Sequence, residues 1–258
     1  MEIKTAVIGG TGVYDPGILL EIRDEQVSTP YGDVELKIGK HQGRLVAFMN
    51  RHGEGHSIPP NMVNYRANID ALKRLGVKNI LATAAVGSLN LLMQPGHLVF
   101  VDQFLDFTKF RQQTFFDGGS AGVVHTDMTE PYCPELRGIL SQAAQNQGLT
   151  YHNGGVYVCT EGPRFETAAE IKMYRMLGGD LVGMTGVPEA PLAREAEICY
   201  ATIAMVTNFA AGISSDRLSH QEVVDTMIQN GENIRKLLLQ AIALIEDNRA
   251  CACHSNNS

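Results

Sequence analysis

The sequence has no excess of basic residues, because 21 Lys and Arg are outnumbered by 28 Asp and Glu and the formal net charge is −7. The basic residues are scattered along the chain and do not form the stripe or patch that a nucleic-acid surface requires. This composition argues against a nucleic-acid partner. A single anionic group can still be bound locally.

The sequence also lacks an apolar run of the roughly 18 residues that a membrane span needs. Its N-terminus has no basic segment of the kind that begins a signal peptide, and it leads directly into the strand pattern Lys4 to Ile8. We therefore expect a soluble, cytoplasmic protein without a membrane partner.

Cysteine is scarce, and the five cysteines are irregularly spaced. An odd number makes a poor disulfide framework, and no pair has the Cys-x-x-Cys spacing of many zinc sites. The simplest interpretation is buried or unpaired thiols at Cys133, Cys159, Cys199, Cys251 and Cys253. The segment Cys251-Ala-Cys253-His254 leaves metal binding or a strained redox pair open, although its polar surroundings predict disorder.

The chain has 258 residues, of which 44% are hydrophobic, and this is enough for one well-buried core. It contains no internal repeat and no linker, so we expect one domain over residues 1–248 and a flexible tail at 249–258. Apolar strand patterns alternate with stretches of helical spacing, which predicts an α/β fold. Predicted strands lie at 4–8, 34–38, 44–48, 77–82, 98–101, 155–159, 181–184 and 199–207, and predicted helices at 63–75, 134–147, 167–177, 188–196 and 219–245.

Two short loops rich in Gly and Pro, 160–167 and 183–189, each connect a predicted strand to a predicted helix. Ligands of open α/β sheets bind at the carboxyl ends of strands, so these loops are a candidate site. The pattern Thr167-x-x-Glu170 predicts a capping box after the first loop. The polar region 102–129, which contains Arg111, has no clear period, and its length indicates a functional role or a subunit contact.

Two further segments suit the binding of an anion. Gly9-Gly10-Thr11-Gly12 follows the first strand and could cradle a phosphate, although a plain tight turn is an alternative. A dinucleotide site would need glycine at position 15, where the chain has Asp15. Arg51-His52-Gly53 ends another strand and offers a fork of donors beside a small residue, which suits a dianion. A solvated loop is the alternative there.

Five motifs, taken together and in this order, resemble those of the purine nucleoside phosphorylase and methylthioadenosine phosphorylase family over residues 3 to 245. They are Gly9-Gly10-Thr11-Gly12, Arg51-His52-Gly53, Ala85-Val86-Gly87-Ser88, Glu161-Gly162-Pro163-Arg164-Phe165-Glu166 and Met184-Thr185-Gly186-Val187-Pro188-Glu189. The resemblance implies a twisted, mixed central sheet flanked by helices. It also implies phosphorolysis in purine salvage: phosphate attacks the anomeric carbon of a nucleoside and releases the base and ribose 1-phosphate, without a metal or cofactor.

The resemblance also assigns the phosphate site. It implies contacts from Thr11, Arg51, His52, the backbone N–H of Ala85 and the hydroxyl of Thr185. The chain departs from the family at Ala84, where relatives usually carry Thr or Asn, so one side-chain contact to the sugar or phosphate is missing.

The remaining assignments concern the nucleoside, with Met184 against the ribose and Phe165 against the base. A 6-oxopurine carries a hydrogen on N1 that Glu166 can accept, while the amide of Asn208 can serve both O6 and N7. We therefore expect Glu166, Asn208 and His52 to be catalytic, and we expect 6-oxopurines as substrates. Relatives that act on 6-aminopurines carry Ser at the position of Glu166 and Asp at the position of Asn208. The alternative is that Asn208 only caps a turn.

The 5′ end of the sugar leaves two substrates open. If His220 binds a 5′-hydroxyl group, the substrates are inosine and guanosine. If the register differs, Leu218 or Val223 lines a methylthio pocket, and the substrate is methylthioinosine.

The resemblance of His125 to a residue that relatives lend to a neighbouring subunit implies a homotrimer or a dimer of trimers. Methylthioadenosine phosphorylase is an enzymatic alternative. A nucleoside-binding protein without turnover is a further one, but it would have little use for Arg51, His52 and Thr185.

Overall fold

A computed structural model describes residues 2–10, 13, 17, 19–214, 220–246, 249 and 251–254, with the backbone alone at 220, 222 and 254. In this part of the chain, eleven strands form one mixed sheet. They are β1 (Thr5–Gly9), β2 (Leu20–Thr29), β3 (Gly32–His41), β4 (Arg44–Asn50), β5 (Asn79–Ser88), β6 (Leu98–Phe100), β7 (Gln103–Phe107), β8 (Tyr151–His152), β9 (Val156–Thr160), β10 (Leu181–Gly183) and β11 (Cys199–Phe209). The helices are α1 (Tyr65–Arg74), α2 (Pro134–Asn146), α3 (Ala168–Met176), α4 (Gly186–Glu195) and α5 (His220–Leu244). The predicted fold class is confirmed.

Strand β5 is the centre of the sheet. Its first half pairs in parallel with β1, up to Ala82, while its last two residues pair antiparallel with β10. On its other side, β11 runs parallel to it along its whole length. Between Ala82 and Gly87, β5 has no strand partner on the side of β1 and β10 within the described residues. This gap in the sheet leaves room for a ligand beside the backbone.

The two faces of the sheet carry separate cores because side chains alternate along each strand. Ile80 of β5 belongs to the core packed against α1 and α4, whereas its neighbour Leu81 belongs to the core packed against α2 and α5. Continuous apolar runs at β1, β5 and β11 are therefore required, since both faces of these strands are covered. All three runs were predicted as strands, but the prediction for β5 ended at residue 82, whereas the strand continues to Ser88.

Strand β2 was not expected from the sequence, and neither were β7 and β8. The sequence of β2, LEIRDEQVST, is rich in charges and mostly exposed, because it is an edge strand that pairs only with β3 among the described strands. Charged residues on an edge strand discourage pairing with another molecule, but they also remove the apolar alternation by which a strand is recognised.

The expectation of a flexible tail is wrong for Cys251 and Cys253. Both side chains are buried, and they belong to the core that α2 and α5 cover. Polar neighbours in the sequence predicted disorder, but the two thiols are small and apolar enough to pack.

No helix in the described part of the chain has the length and apolar character to cross a bilayer.

The capping box at the start of α3 is confirmed. Glu170 N–H donates to Thr167 Oγ1 at 3.2 Å, and Thr167 N–H donates to the Glu170 carboxylate at 2.7 Å.

We expect Thr167→Ala to lower the free energy of unfolding by about 1 kcal/mol, the usual cost of losing such a cap. Urea denaturation at fixed protein concentration measures this, with Thr150→Ala at an exposed loop position as the control. Equal stability of the two variants would contradict the prediction.

Candidate active site

A cavity of about 390 Å³ lies at the gap in the sheet. Residues 84–87 of β5 form one wall, and the two loops predicted as a ligand site, 160–167 and 183–189, contribute residues to another. The ends of β4 and β11 and the start of α5 complete it. Its volume is within the range of small-molecule sites. The carboxyl ends of parallel strands therefore converge here, as the fold class predicts.

A buried ion pair fixes one end of the cavity. Arg51, which follows β4, donates through Nε and Nη2 to the two carboxylate oxygens of Glu189 in α4, the second at 2.8 Å. Tyr200 of β11 donates its hydroxyl to the same carboxylate at 2.7 Å. Neither charged side chain is more than 1% exposed. Although burial alone lowers the pKa of Arg51, the charge and hydrogen bonds of Glu189 raise it overall, so the guanidinium stays charged.

The remaining donors of Arg51 are available to a ligand. Nη1 donates one hydrogen to the Thr83 carbonyl at 2.9 Å, so one N–H on each terminal nitrogen has no acceptor among the described residues. Gly10 packs directly on this group: a Cβ at that position would lie 2.9 Å from Arg51 Nη1 and 2.4 Å from the Thr83 oxygen. Glycine at position 10 is thus needed for a close approach to the anion-binding end of the cavity. Thr11, predicted to contact phosphate, lies outside the described residues.

His52 is a neutral side chain whose tautomer is set by the backbone. Its Nδ1 lies 2.9 Å from the Ile58 carbonyl, which can only accept, so Nδ1 carries the hydrogen and Nε2 is an acceptor. Burial and the positive charge of Arg51 lower the pKa of His52 to about 4. Neutral His52 can accept a hydrogen bond from a protonated phosphate oxygen or a sugar hydroxyl.

The other described residues expected at the phosphate also line the cavity. Ala85 and Thr185 both line the cavity, and the Thr185 backbone is held by its N–H, which donates to Tyr157 Oη at 3.2 Å. Ala84 also lines it, so the missing Thr or Asn side chain leaves apolar surface at that point.

Glu166 and Asn208 also line the cavity, and both are held in fixed orientations. Thr160 donates its hydroxyl to Glu166 Oε1 at 2.6 Å, and burial raises the pKa of the Glu166 carboxyl. Thr207 donates to Asn208 Oδ1 at 2.7 Å, while Asn208 Nδ2 donates to the Phe209 carbonyl at 2.9 Å. Each group still has hydrogen-bonding capacity for a ligand.

A β-bulge aims Asn208 into the cavity. Along β11 the register with β5 shifts between Val206 and Asn208, so Thr207 is the extra residue. Such a bulge changes which face the following side chain occupies. Asn208 is only 5% exposed and lines the cavity.

Phe165 and Met184, expected against base and ribose, both line the cavity, and Phe165 remains 40% exposed at its rim. Val223 of α5 also lines it, three residues after His220, whose side chain is outside the described part. His125 is exposed and does not line the cavity of its own chain.

Arg111 is a residue whose contacts the sequence did not specify, although its region was expected to be functional. Its guanidinium donates to the carbonyls of Met184 and Val187, each at 2.7 Å. It also donates to the carbonyls of Thr160 and Glu161, at 3.2 and 2.8 Å. Arg111 therefore fastens the two loops of the cavity to each other.

Glu189 was likewise missed as a site residue. Replacing its carboxylate should leave the buried charge of Arg51 without a partner. We expect Glu189→Gln to lower the free energy of unfolding by about 3 to 5 kcal/mol, because Arg51 then stays buried without a counter-charge. Urea denaturation at fixed protein concentration provides the measurement, with Glu130→Gln at an exposed position as control. The double variant Arg51→Met, Glu189→Leu should recover part of the loss. A single variant as stable as the control would refute this account of the pair.

The chain matches the Phosphorylase superfamily over residues 4–243. It is 60% identical over 251 residues to the probable 6-oxopurine nucleoside phosphorylase of Moorella thermoacetica. The matched region covers 97% of this chain and 96% of the relative. It is 56% identical over 255 residues to the 6-oxopurine nucleoside phosphorylase of Pyrococcus furiosus, with coverage of 97% and 96%.

A solved structure gives the same result for the fold. The methylthioadenosine phosphorylase sourced from an antarctic soil metagenomic library is 40% identical and superimposes with a TM-score of 0.93, covering 100% of this chain and 91% of that one. Sequence and structure agree with the resemblance carried by the five motifs. The chain belongs to the Phosphorylase superfamily, among the relatives that include purine nucleoside and methylthioadenosine phosphorylases.

Proposed function

We propose that this chain is a purine nucleoside phosphorylase that converts the 6-oxopurine nucleosides inosine and guanosine to the free base and ribose 1-phosphate. The observation that carries the proposal is that one cavity is lined both by a fixed guanidinium with free N–H groups, Arg51, and by the Glu166 and Asn208 pair. Relatives more than half identical to the chain bear the same activity in their names.

The geometry suits phosphate as the nucleophile. Cleavage of the glycosidic bond places positive character on the sugar, so an anion held beneath the anomeric carbon lowers the barrier. Arg51 holds phosphate through its remaining N–H groups, and neutral His52 accepts a hydrogen bond from the protonated oxygen of hydrogen phosphate. Inorganic phosphate is then a co-substrate, and the reaction requires no further cofactor or metal.

The base end supports a 6-oxopurine. Burial raises the pKa of Glu166, so a donor such as the N1–H of the base offsets the cost of keeping the carboxylate charged. Asn208 can donate from Nδ2 to O6 and accept at Oδ1 from N7 as that atom gains a proton. Negative charge that develops on the departing purine is stabilised in this way.

The assembly is part of the proposal. His125 is exposed and lies away from the lining of its own cavity, so we infer that it completes the site of a neighbouring subunit in a homotrimer or a dimer of trimers. Purine salvage in the cytoplasm is the physiological setting that this activity suits.

A methylthio substrate is the second candidate, and one observation favours it. The apolar side chain of Val223 lines the cavity at the start of α5, as the alternative register of the sugar site requires. The similar antarctic structure is named as a methylthioadenosine phosphorylase. Glu166 and Asn208 favour the 6-oxo form of the base, so the substrate would be methylthioinosine.

Release of hypoxanthine from inosine, measured with and without phosphate, tests the proposal. We expect turnover only when phosphate is present, and higher kcat/KM for inosine and guanosine than for adenosine and methylthioadenosine. Higher kcat/KM for methylthioinosine than for inosine would support the second candidate. Binding of inosine without turnover at saturating phosphate would indicate a nucleoside-binding protein and exclude both.

Replacement of Asn208 tests the recognition of the base. We expect Asn208→Asp to shift the ratio of kcat/KM for inosine over adenosine toward adenosine by about tenfold, the effect of exchanging one donor for an acceptor. Asn146→Asp, which adds the same charge at the exposed end of α2, is the matched control. An unchanged ratio in the Asn208 variant would count against the role of its amide.

Replacement of His220 tests the 5′ end of the sugar. If His220 binds the 5′-hydroxyl group, His220→Ala should lower kcat/KM for inosine by about tenfold and leave that for methylthioinosine nearly unchanged, since only inosine loses a hydrogen bond. Gln221→Ala, at the next and exposed position, is the control. Equal losses for both substrates would show that His220 does not face the 5′ group.

A further inference from the structure

Four cysteines from three distant parts of the chain meet on the side of the sheet covered by α2 and α5. One precedes α2, one begins β11, and two lie in the segment after α5. All four are buried, and their Sγ atoms lie within 4.8 Å of one another. We call this the four-cysteine cluster: Cys133, Cys199, Cys251 and Cys253.

The spacing of the sulfur atoms is close to that of a metal-bound tetrathiolate. A tetrahedral zinc ion with Zn–S bonds of about 2.3 Å separates its sulfur ligands by about 3.8 Å. The pair Cys133 and Cys251 is 3.4 Å apart, and no pair exceeds 4.8 Å. Small side-chain rotations would bring all four into tetrahedral positions. In two disulfides, by contrast, each sulfur needs only one near partner at about 2.05 Å.

The surroundings of the cluster favour negatively charged sulfur. Arg249 interacts with the sulfur atoms of Cys199 and Cys133, and it is held in place by Glu135 at 3.3 Å. The backbone N–H of Leu136, in the first turn of α2, donates to Cys133 Sγ at 3.5 Å. Cationic groups and backbone N–H donors around thiolates are the outer shell that a tetrathiolate metal site requires.

We propose that the four-cysteine cluster binds one Zn²⁺ ion as a structural site. Binding releases the four thiol protons to solvent and forms four Zn–S bonds without any change of oxidation state. Four thiolates and one Zn²⁺ leave a net charge of −2, which Arg249 partly offsets. All four positions are filled by protein, so the ion has no open position for catalysis.

The position of the cluster assigns it a structural role. Cys199 pairs with Asn79 at the first residue of β5, whereas the cavity adjoins residues 84–87 at the other end of that strand. The ion would fasten the segment after α5 to α2 and β11. The sequence did not reveal the site because Cys251 and Cys253 are separated by one residue, and their two partners lie 52 or more residues before them.

The test begins with protein purified under reducing, metal-replete conditions. We expect elemental analysis to give about one zinc per chain, and we expect Co²⁺ exchange to give the thiolate charge-transfer and visible bands of tetrahedral sulfur coordination. Cys253→Ser should lower the zinc content at least tenfold. Cys159→Ser removes a buried thiol outside the cluster and should leave the zinc content unchanged.

Two results would overturn the proposal. In protein purified without a reducing agent, a mass four hydrogens below that of the reduced chain, with one free thiol, would show two disulfides in the cluster. Five free thiols with no uptake of Zn²⁺ or Co²⁺ by the folded wild-type chain would show a thiol cluster without a metal. Both measurements use the wild-type protein, so they decide the matter even if Cys253→Ser does not fold. Neither depends on which nucleoside the enzyme cleaves.

Discussion

The buried ion pair between Arg51 and Glu189 is the interaction on which the cavity depends. It joins the end of β4 to α4, and through Thr83 and Tyr200 it reaches β5 and β11. A buried guanidinium is costly unless it is paired and hydrogen-bonded, and here both conditions are met. The pairing also fixes the direction of the two remaining N–H groups before any ligand arrives. A donor set that needs no reorganisation is the kind that stabilises a charged transition state best.

The gap in the sheet places the cavity beside this ion pair. Because β1 leaves β5 after Ala82 and β10 joins it only at Gly87, the backbone between them borders the cavity. Arg111 then fastens the two loops that line the cavity by donating to carbonyls of both. The two fixed arginines have different tasks: Arg51 keeps donors free for a ligand, whereas Arg111 uses its donors on the protein.

The sequence predicted the parts of the fold that depend on local pattern, such as the apolar first part of β5 and the capping box at Thr167. Most of the residues that the family resemblance assigns to the ligand line the cavity. Thr11 and the His220 side chain lie outside the described residues, and His125 does not line it. The sequence could not predict that Glu189 pairs with Arg51, since the two are 138 positions apart and either could have been solvated. Strand β2 was missed for the opposite reason, because an edge strand needs no apolar pattern.

Under the proposed function, the choice between purine bases follows from the environment of two groups. The Glu166 carboxyl is buried enough for its pKa to be raised, so its charged form depends on a donor from the ligand. The N1 of a 6-oxopurine is a donor, whereas the N1 of a 6-aminopurine is an acceptor and would leave the carboxylate facing a second acceptor. Asn208 is oriented by Thr207 and the Phe209 carbonyl, so it cannot rotate to compensate without losing both bonds. A site with two such fixed groups rejects the wrong base mainly by leaving its own polar atoms unpaired.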